Sequence, residues 1–322
     1  MKRRAWMAAA CALAFYNLPL SAIADEFPTR ALKMVVPFPA GSITDVVARA
    51  LSEEMAKDLG KPIIIDNKPG ANGILGTREA VQAPADGYTI LIVGVTTAAS
   101  NVSLFKKLPY DPAKDLAPIG GIAVTPYLLV GSPKLPGKTV ADLFDYGRAH
   151  PEKLTYAYGS GSAQVFGAKL AHMGNMKMIN VSYKGGPQAL TDVMGGQVDL
   201  TFTDFANGLQ QARAGKVKVY GASTLERFAL AKDIPTLNES GASGFDLTVW
   251  FGLMGPAGLP QKVTQRLNSS LSKALRSPAL LERFQSQGLM PMPQNAEQFG
   301  QFVKTEIGKW GDMVKEIGIE PQ

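Results

Sequence analysis

Short apolar runs recur along this chain, each ending in a loop rich in glycine and hydroxyl side chains and then passing into an amphipathic stretch. That alternation restricts the chain to an α/β architecture. Met34-Val-Val36 leads into Pro37-Phe-Pro-Ala-Gly-Ser42, and Val47, Leu51, Met55 and Leu59 then follow at four-residue spacing, with Val46 and Ala50 widening the stripe. Gly60 and Pro62 stop that helix. Ile63-Ile-Ile65 is a continuous apolar run, the pattern of a parallel strand covered on both faces. A second loop, residues 66–76, carries Gly70, Gly73 and Gly76 at every third position, and a third strand is expected over 89–93 before Val95-Thr-Thr-Ala-Ala-Ser100. Such units predict a doubly wound sheet, whose ligands sit at the carboxyl ends of the strands.

A proline-punctuated link, residues 108–118, precedes a strand over 119–131 that leads away from the first lobe. The pattern then restarts. Thr139-Val-Ala-Asp142 reads as a capping box, and strands are expected over 154–158, 179–183, 198–203 and 217–223. Between them stand Gly159-Ser-Gly-Ser162 and Lys184-Gly-Gly-Pro187, and the third of these strands ends at Asp204. The apolar segment 245–254 returns the chain to the first lobe, and helices are expected over 260–275, 278–287 and 295–317. The last sets Phe299, Phe302, Val303, Trp310 and Val314 on one face, read as packing against the first lobe. The expected layout is a signal peptide at 1–24, one lobe from 25–124 with 250–322, and a second lobe at 125–249. Two lobes joined by two crossing segments make a clamp, and small-molecule sites favour such interfaces. Two neighbouring crossings also allow hinge closure.

Lys2, Arg3 and Arg4 followed by the apolar residues 5–20 and Ala22-Ile-Ala24 read as a cleavable secretory signal. Asn17 and Pro19 interrupt the apolar stretch, which argues against a membrane anchor. Cys11 has too little apolar sequence before it, and Ala8 where a large aliphatic residue belongs, to be a lipidation site. The exported chain would then hold no cysteine and must rely on its core. Without the three leader cations, 30 basic residues face 27 acidic ones, with no Lys/Arg run and hence no case for nucleic acid.

Pro37 and Pro39 stiffen the first loop, Gly41 lets it turn, and Ser42, Thr44 or Asp45 could cap the helix that follows. A loop feeding a helix N-terminus in this way offers free N–H donors and the positive dipole end to an anion. The same stretch also reads as an ordinary βα turn with a good cap. Enzyme chemistry finds little footing. His150 precedes Pro151 at a helix end, His172 sits beside Met173 and Gly174, and no His/Cys/Asp/Glu cluster suggests a metal. Gly159-Ser-Gly-Ser162 has the wrong register for a nucleophile elbow, and five residues separate Gly131 from Gly137 where a phosphate loop needs four. No cofactor is expected.

Val35-Val-Pro-Phe-Pro-Ala-Gly-Ser-Ile-Thr-Asp45, Asn67-Lys-Pro-Gly-Ala-Asn-Gly73 and Asp86-Gly-Tyr88 resemble the Bug family of periplasmic solute receptors. So do Leu108-Pro-Tyr-Asp-Pro112, Tyr183-Lys-Gly185, Gly195-Gly-Gln-Val-Asp199, Asp233-Ile-Pro-Thr236 and Trp250-Phe-Gly252. These receptors are the extracytoplasmic components of tripartite tricarboxylate transporters. The resemblance implies a two-lobed type II periplasmic-binding-protein fold that closes over a small carboxylate, acts as a monomer and serves membrane permease subunits. A sensory receptor for a two-component system is the alternative role. By the same resemblance, Phe38, Ala40, Gly41, Ser42, Thr44 and Asp45 belong to the segment that holds one ligand carboxylate, largely through backbone N–H groups. Gly159, Ser160, Gly161 and Ser162 belong to the loop that receives its far end, and Thr97 and Asp204 are further candidates at strand ends. Four departures bear on the ligand rather than the fold. Ser42 stands where a second glycine is usual, the second-lobe segment is about one residue shorter, Val165 replaces a common histidine, and Tyr158 replaces a small residue. Tyr158 and Val165 point to a less polar far end, suited to an aromatic or short aliphatic carboxylate rather than citrate, while Tyr158 also reads as simple strand packing. The leader reading makes the first testable statement: intact mass of protein recovered from the periplasm should fit a chain starting at Asp25, and a full-length or lipid-modified form would reject it.

Overall fold

The computed structural model of the protein describes residues 27–322, so the expected signal peptide and Cys11 lie outside the described residues. Strand β1 (Leu32–Val36) feeds the first loop, and α1 (Ile43–Leu59) starts at Ser42, whose hydroxyl accepts the Asp45 N–H at 3.3 Å. The helix therefore begins three residues before the apolar stripe, and Ser42 is its cap. Gly60 ends it in the left-handed region at φ 66°. After β2 (Ile63–Asn67) come a 3₁₀ turn (Ala71–Gly73), α2 (Ile74–Val81) and β3 (Thr89–Gly94). A π-helical turn (Thr96–Ser100) runs into the short α3 (Asn101–Leu104), and then β4 (Leu116–Gly131) extends for 16 residues.

The second half of the fold runs through α4 (Val140–Ala149), β5 (Leu154–Tyr158), α5 (Gly161–Gly174), β6 (Met178–Ser182) and α6 (Gly186–Gly195). Next come β7 (Leu200–Asp204), α7 (Phe205–Arg213) and β8 (Lys218–Ala222). The expected capping box of Thr139 and Asp142 opens α4. The chain returns by β9 (Thr248–Pro256) and finishes with α8 (Gln261–Ala274), α9 (Pro278–Ser286), β10 (Met290–Gln294) and α10 (Ala296–Glu316).

The strands follow the order β2-β1-β3-β9-β4-β7-β5-β6, with β8 and β10 also paired to β4. The N-terminal part of β4 pairs antiparallel with β9 from Leu116↔Pro256 to Pro126↔Thr248. Its C-terminal part, from Tyr127 to Gly131, pairs with β7 and β8. One strand thus belongs to two half-sheets, each carrying its own parallel strands: β2-β1-β3 on one side, β7-β5-β6 on the other. The fold is two-lobed α/β.

Three features differ from the sequence reading. Ile63-Ile-Ile65 is not covered on both faces, because β2 is an edge strand and Ile64 is 60% exposed. Helix α7 and strand β10 were not anticipated; β10 carries Pro291 and Pro293, which suit it to pairing on one side only, here with β4. Helix α10 packs on both lobes rather than the first alone. Its Trp310 stacks on Phe166 of α5 at 6.0 Å between ring centroids. The buried Glu306 of α10 accepts the indole N–H of Trp310 at 3.0 Å and that of Trp250 on β9 at 2.7 Å.

Outside the sheet, Asp58 at the end of α1 fastens α8. Its carboxylate accepts from Lys273 at 2.6 Å and Arg266 at 2.5 Å, and Arg266 also donates to the Asp58 carbonyl at 2.7 Å. Lys273 first, and then Arg266, outweigh partial burial and hold the Asp58 carboxyl down at about 2, against a usual 3.8. Because the folded carboxyl titrates below the unfolded one, its stabilisation is complete above the unfolded value and fades as pH falls through the folded one. Asp58→Asn should cost about 1–2 kcal/mol at neutral pH, after allowance for solvent screening. In denaturant melts, the gap between variant and parent should close as pH falls from 3.8 toward 2.

Candidate functional site

A cleft of about 580 Å³, mouth included, lies between the two half-sheets at the carboxyl ends of β1, β3, β5 and β7. On the first-lobe side Phe38, Ser42, Ile43 and Thr44 line it with Gly94, Val95 and Thr96. The second-lobe wall is Gly159, Ser160, Ser162 and Ala163, Gly186 and Pro187, and Thr203 with Asp204. Tyr127, Phe202, Val249 and Phe251 supply an apolar floor from β4, β7 and β9. No Lys, Arg or His is among the lining residues.

The first loop is shaped by Asp45. Its carboxylate accepts from the Gly41 N–H at 3.0 Å, Arg49 Nε at 2.9 Å and Asn67 Nδ2 at 2.9 Å. Asn67 also donates to the Phe38 carbonyl at 3.1 Å, so β2 holds the loop as well. Burial pushes Asp45 up, but the bonds from Arg49, Gly41 and Asn67 outweigh it and hold the carboxyl below its usual range. Gly41, at φ 78°, is exposed, and Ala40 is exposed beside it. Ser42 N–H turns back to Pro39 O at 3.2 Å. The N–H groups of Ile43 and Thr44, in the first turn of α1, and the Thr44 hydroxyl find no partner among the described residues. These are the donors that face the cleft.

On the opposite wall, Ser160 caps α5 by accepting the Ala163 N–H at 3.3 Å, and Gly159 lies against the next loop. A Cβ on Gly159 would fall 2.1 Å from the Gly185 carbonyl carbon. The lobes touch directly here: the Ser162 N–H donates to the Thr96 hydroxyl at 3.1 Å, which stands 3.1 Å from the Ser162 hydroxyl. Asp204 caps α7, accepting the backbone and side-chain N–H groups of Asn207, each at 3.0 Å. Burial pushes its carboxyl up, against the bonds from Asn207. Tyr127 lies opposite Asp204 in the β4–β7 register, and burial first, then the Asp204 charge, push its phenol up.

Seven of the thirteen residues expected from the sequence line this cleft: Phe38, Ser42, Thr44, Gly159, Ser160, Ser162 and Asp204. Ala40, Gly41 and Asp45 shape the loop from outside it. Thr97 turns its hydroxyl to Gly94, within 3.4 Å of the N–H and carbonyl, and packs its methyl against Gly73, while Thr96 takes the cleft. Gly161 faces Leu104 and Asn101 of the first lobe. Tyr158 stacks on Tyr156 at 6.4 Å, and Val165 is fully buried in α5, so neither lines the cleft. The apolar character expected of them comes instead from Tyr127, Phe202 and Phe251. His150 and His172 are exposed on the surface.

The model of the tripartite tricarboxylate transporter family receptor matches residues 47–319. BugT of Bordetella pertussis is 32% identical over 300 residues, 92% of each chain. The solved structure of the periplasmic binding protein BugD superposes with a TM-score of 0.88 at 33% identity, over 92% of this chain and all of that one. An R. palustris protein solved with adipate gives 0.89 at 30% identity, over 92% and 100%. The cleft geometry yields a paired test on stability. Gly159→Ala should lose about 1–3 kcal/mol by overpacking against backbone. Gly186→Ala, whose Cβ would meet nothing within 4 Å, should shift stability by no more than about 0.5 kcal/mol. Thermal melts of the two variants decide it.

Proposed function

Since this chain belongs to the tripartite tricarboxylate transporter receptor family, we propose that it is a periplasmic receptor that binds a small carboxylate between its lobes and presents it to the membrane subunits of such a transporter. The observation that carries this reading is the pair of unpartnered N–H groups of Ile43 and Thr44, with the Thr44 hydroxyl, at the N-terminus of a 17-residue helix opening on the cleft. Charge-assisted bonds to backbone donors are roughly twice as strong as neutral ones, and the helix dipole adds about 0.3–1 kcal/mol. An anion is thereby held without a lysine or arginine among the lining residues, so release need not break an ion pair.

Asp45 then acts as a positioning acid rather than a ligand contact. By taking the Gly41 N–H, Arg49 and Asn67, it fixes the loop while leaving the Ile43 and Thr44 donors for the ligand. The lobe division at 25–124 with 250–322 against 125–249 fits this reading, because β4 changes partners between Pro126 and Tyr127. The direct Thr96–Ser162 contact supports reading the lobes as closed, with the two crossing strands β4 and β9 carrying the opening.

Ile43→Pro tests the assignment. Proline is tolerated at the first helical position and removes a single N–H, and Ser42 already has the extended conformation that proline requires before it. A carboxylate that stabilises the parent by about 2.7 kcal/mol at a hundredfold excess over Kd should bind the variant about tenfold more weakly or worse. Calorimetry on a variant shown to be folded by circular dichroism reads this out, and unchanged affinity would remove the α1 N-terminus from the site.

A further inference from the structure

The wall of the cleft opposite the α1 donors holds an acid that the carboxylate reading leaves without a task. Asp204 lies in the lining, 8% exposed, with both oxygens turned to Asn207 as acceptors. Tyr127, paired with it across β4 and β7, is 91% buried, and its hydroxyl has no partner among the described residues. A capping role would explain Asp204 alone. It does not explain the phenol beside it, whose hydroxyl has no partner among the described residues and opens on the same cavity, where a ligand can reach it.

Resting on the proposal that the α1 end holds a carboxylate, we infer that the ligand is a monoanion whose far end is an uncharged hydroxyl, donating to Asp204 and accepting from Tyr127, with an apolar chain or ring between the two poles. Phe202, Val249 and Phe251 fit that middle section. A second carboxylate at the far end would face Asp204, with only neutral hydroxyls such as those of Tyr127 and Thr203 among the side-chain donors there. The relative solved with adipate has two carboxylates to hold, and this chain is expected to prefer a ligand with one.

The test uses matched acids on the folded exported chain: hexanoate, its ω-hydroxy derivative and adipate, together with benzoate, para-hydroxybenzoate and terephthalate. Calorimetry near neutral pH should rank the hydroxy acid of at least one series above both its unsubstituted parent and its diacid, by about tenfold, the worth of one buried bond to a charged group. Asp204→Asn, which keeps a good helix cap, should abolish that lead and improve the diacid about tenfold relative to the hydroxy acid. Tyr127→Phe should weaken the hydroxy acid several-fold more than its unsubstituted parent. A diacid that binds tightest, with a ranking unmoved or worsened in Asp204→Asn, would overturn the inference while leaving the carboxylate reading intact. Binding of none of the six acids, judged also by thermal shift, would overturn both.

Discussion

Everything in this molecule hangs on the backbone ladder of β4. Sixteen residues of one strand are hydrogen-bonded to β9 and β10 along one part and to β7 and β8 along the other. Because side chains alternate along a strand, the face that Val124 takes where β4 pairs with β9 also fixes the face that Tyr127 takes where β4 pairs with β7. The floor of the cleft is therefore set by the same pairing that joins the lobes. Trp310 on Phe166 and the two indoles on Glu306 reinforce the junction from the α10 side, with contacts inaccessible to water.

The cleft itself is governed by which donors are already spent. The first turn of a helix has several N–H groups without internal acceptors, and here Ser42 takes that of Asp45 while Asp45 takes that of Gly41 in the preceding loop. Two successive donors, Ile43 and Thr44, stay free. The facing helix α5 is spent differently. Its Ala163 N–H is capped by Ser160 and its Ser162 N–H goes across to Thr96. One wall thus offers donors outright, and the other is engaged in lobe-to-lobe contact.

Much of this could be read from the sequence, for reasons visible in particular residues. The strand-loop-helix alternation located nearly every element to within a few positions, since the apolar period and the caps at Ser42, Thr139 and Gly60 agree with one another. The loops that line the cleft were legible because strand ends feeding helices are where glycine and hydroxyl residues cluster. Thr96 was missed in favour of Thr97 because residues 96–100 form a π-helical turn, where neither a period of two nor one of 3.6 tells which threonine faces inward. Tyr127, Phe202 and Phe251 were missed because their exposure to the cleft depends on register between strands distant in sequence. Ile64 misled for a related reason: an edge position is a property of strand order, which an apolar run does not encode.

The main-chain nature of the α1 donors has an evolutionary consequence. On the proposed reading, a site built from peptide N–H groups survives almost any side-chain replacement at Ile43, proline excepted, provided Asp45 and its partners keep the loop in shape. The opposite wall, made of Asp204, Tyr127, Thr203 and serine hydroxyls, changes with each codon. One half of the cleft is then inherited as a constant while the other is free to vary. On the proposed reading, a lineage could change what it binds by altering a handful of positions, without rebuilding its hold on the acid.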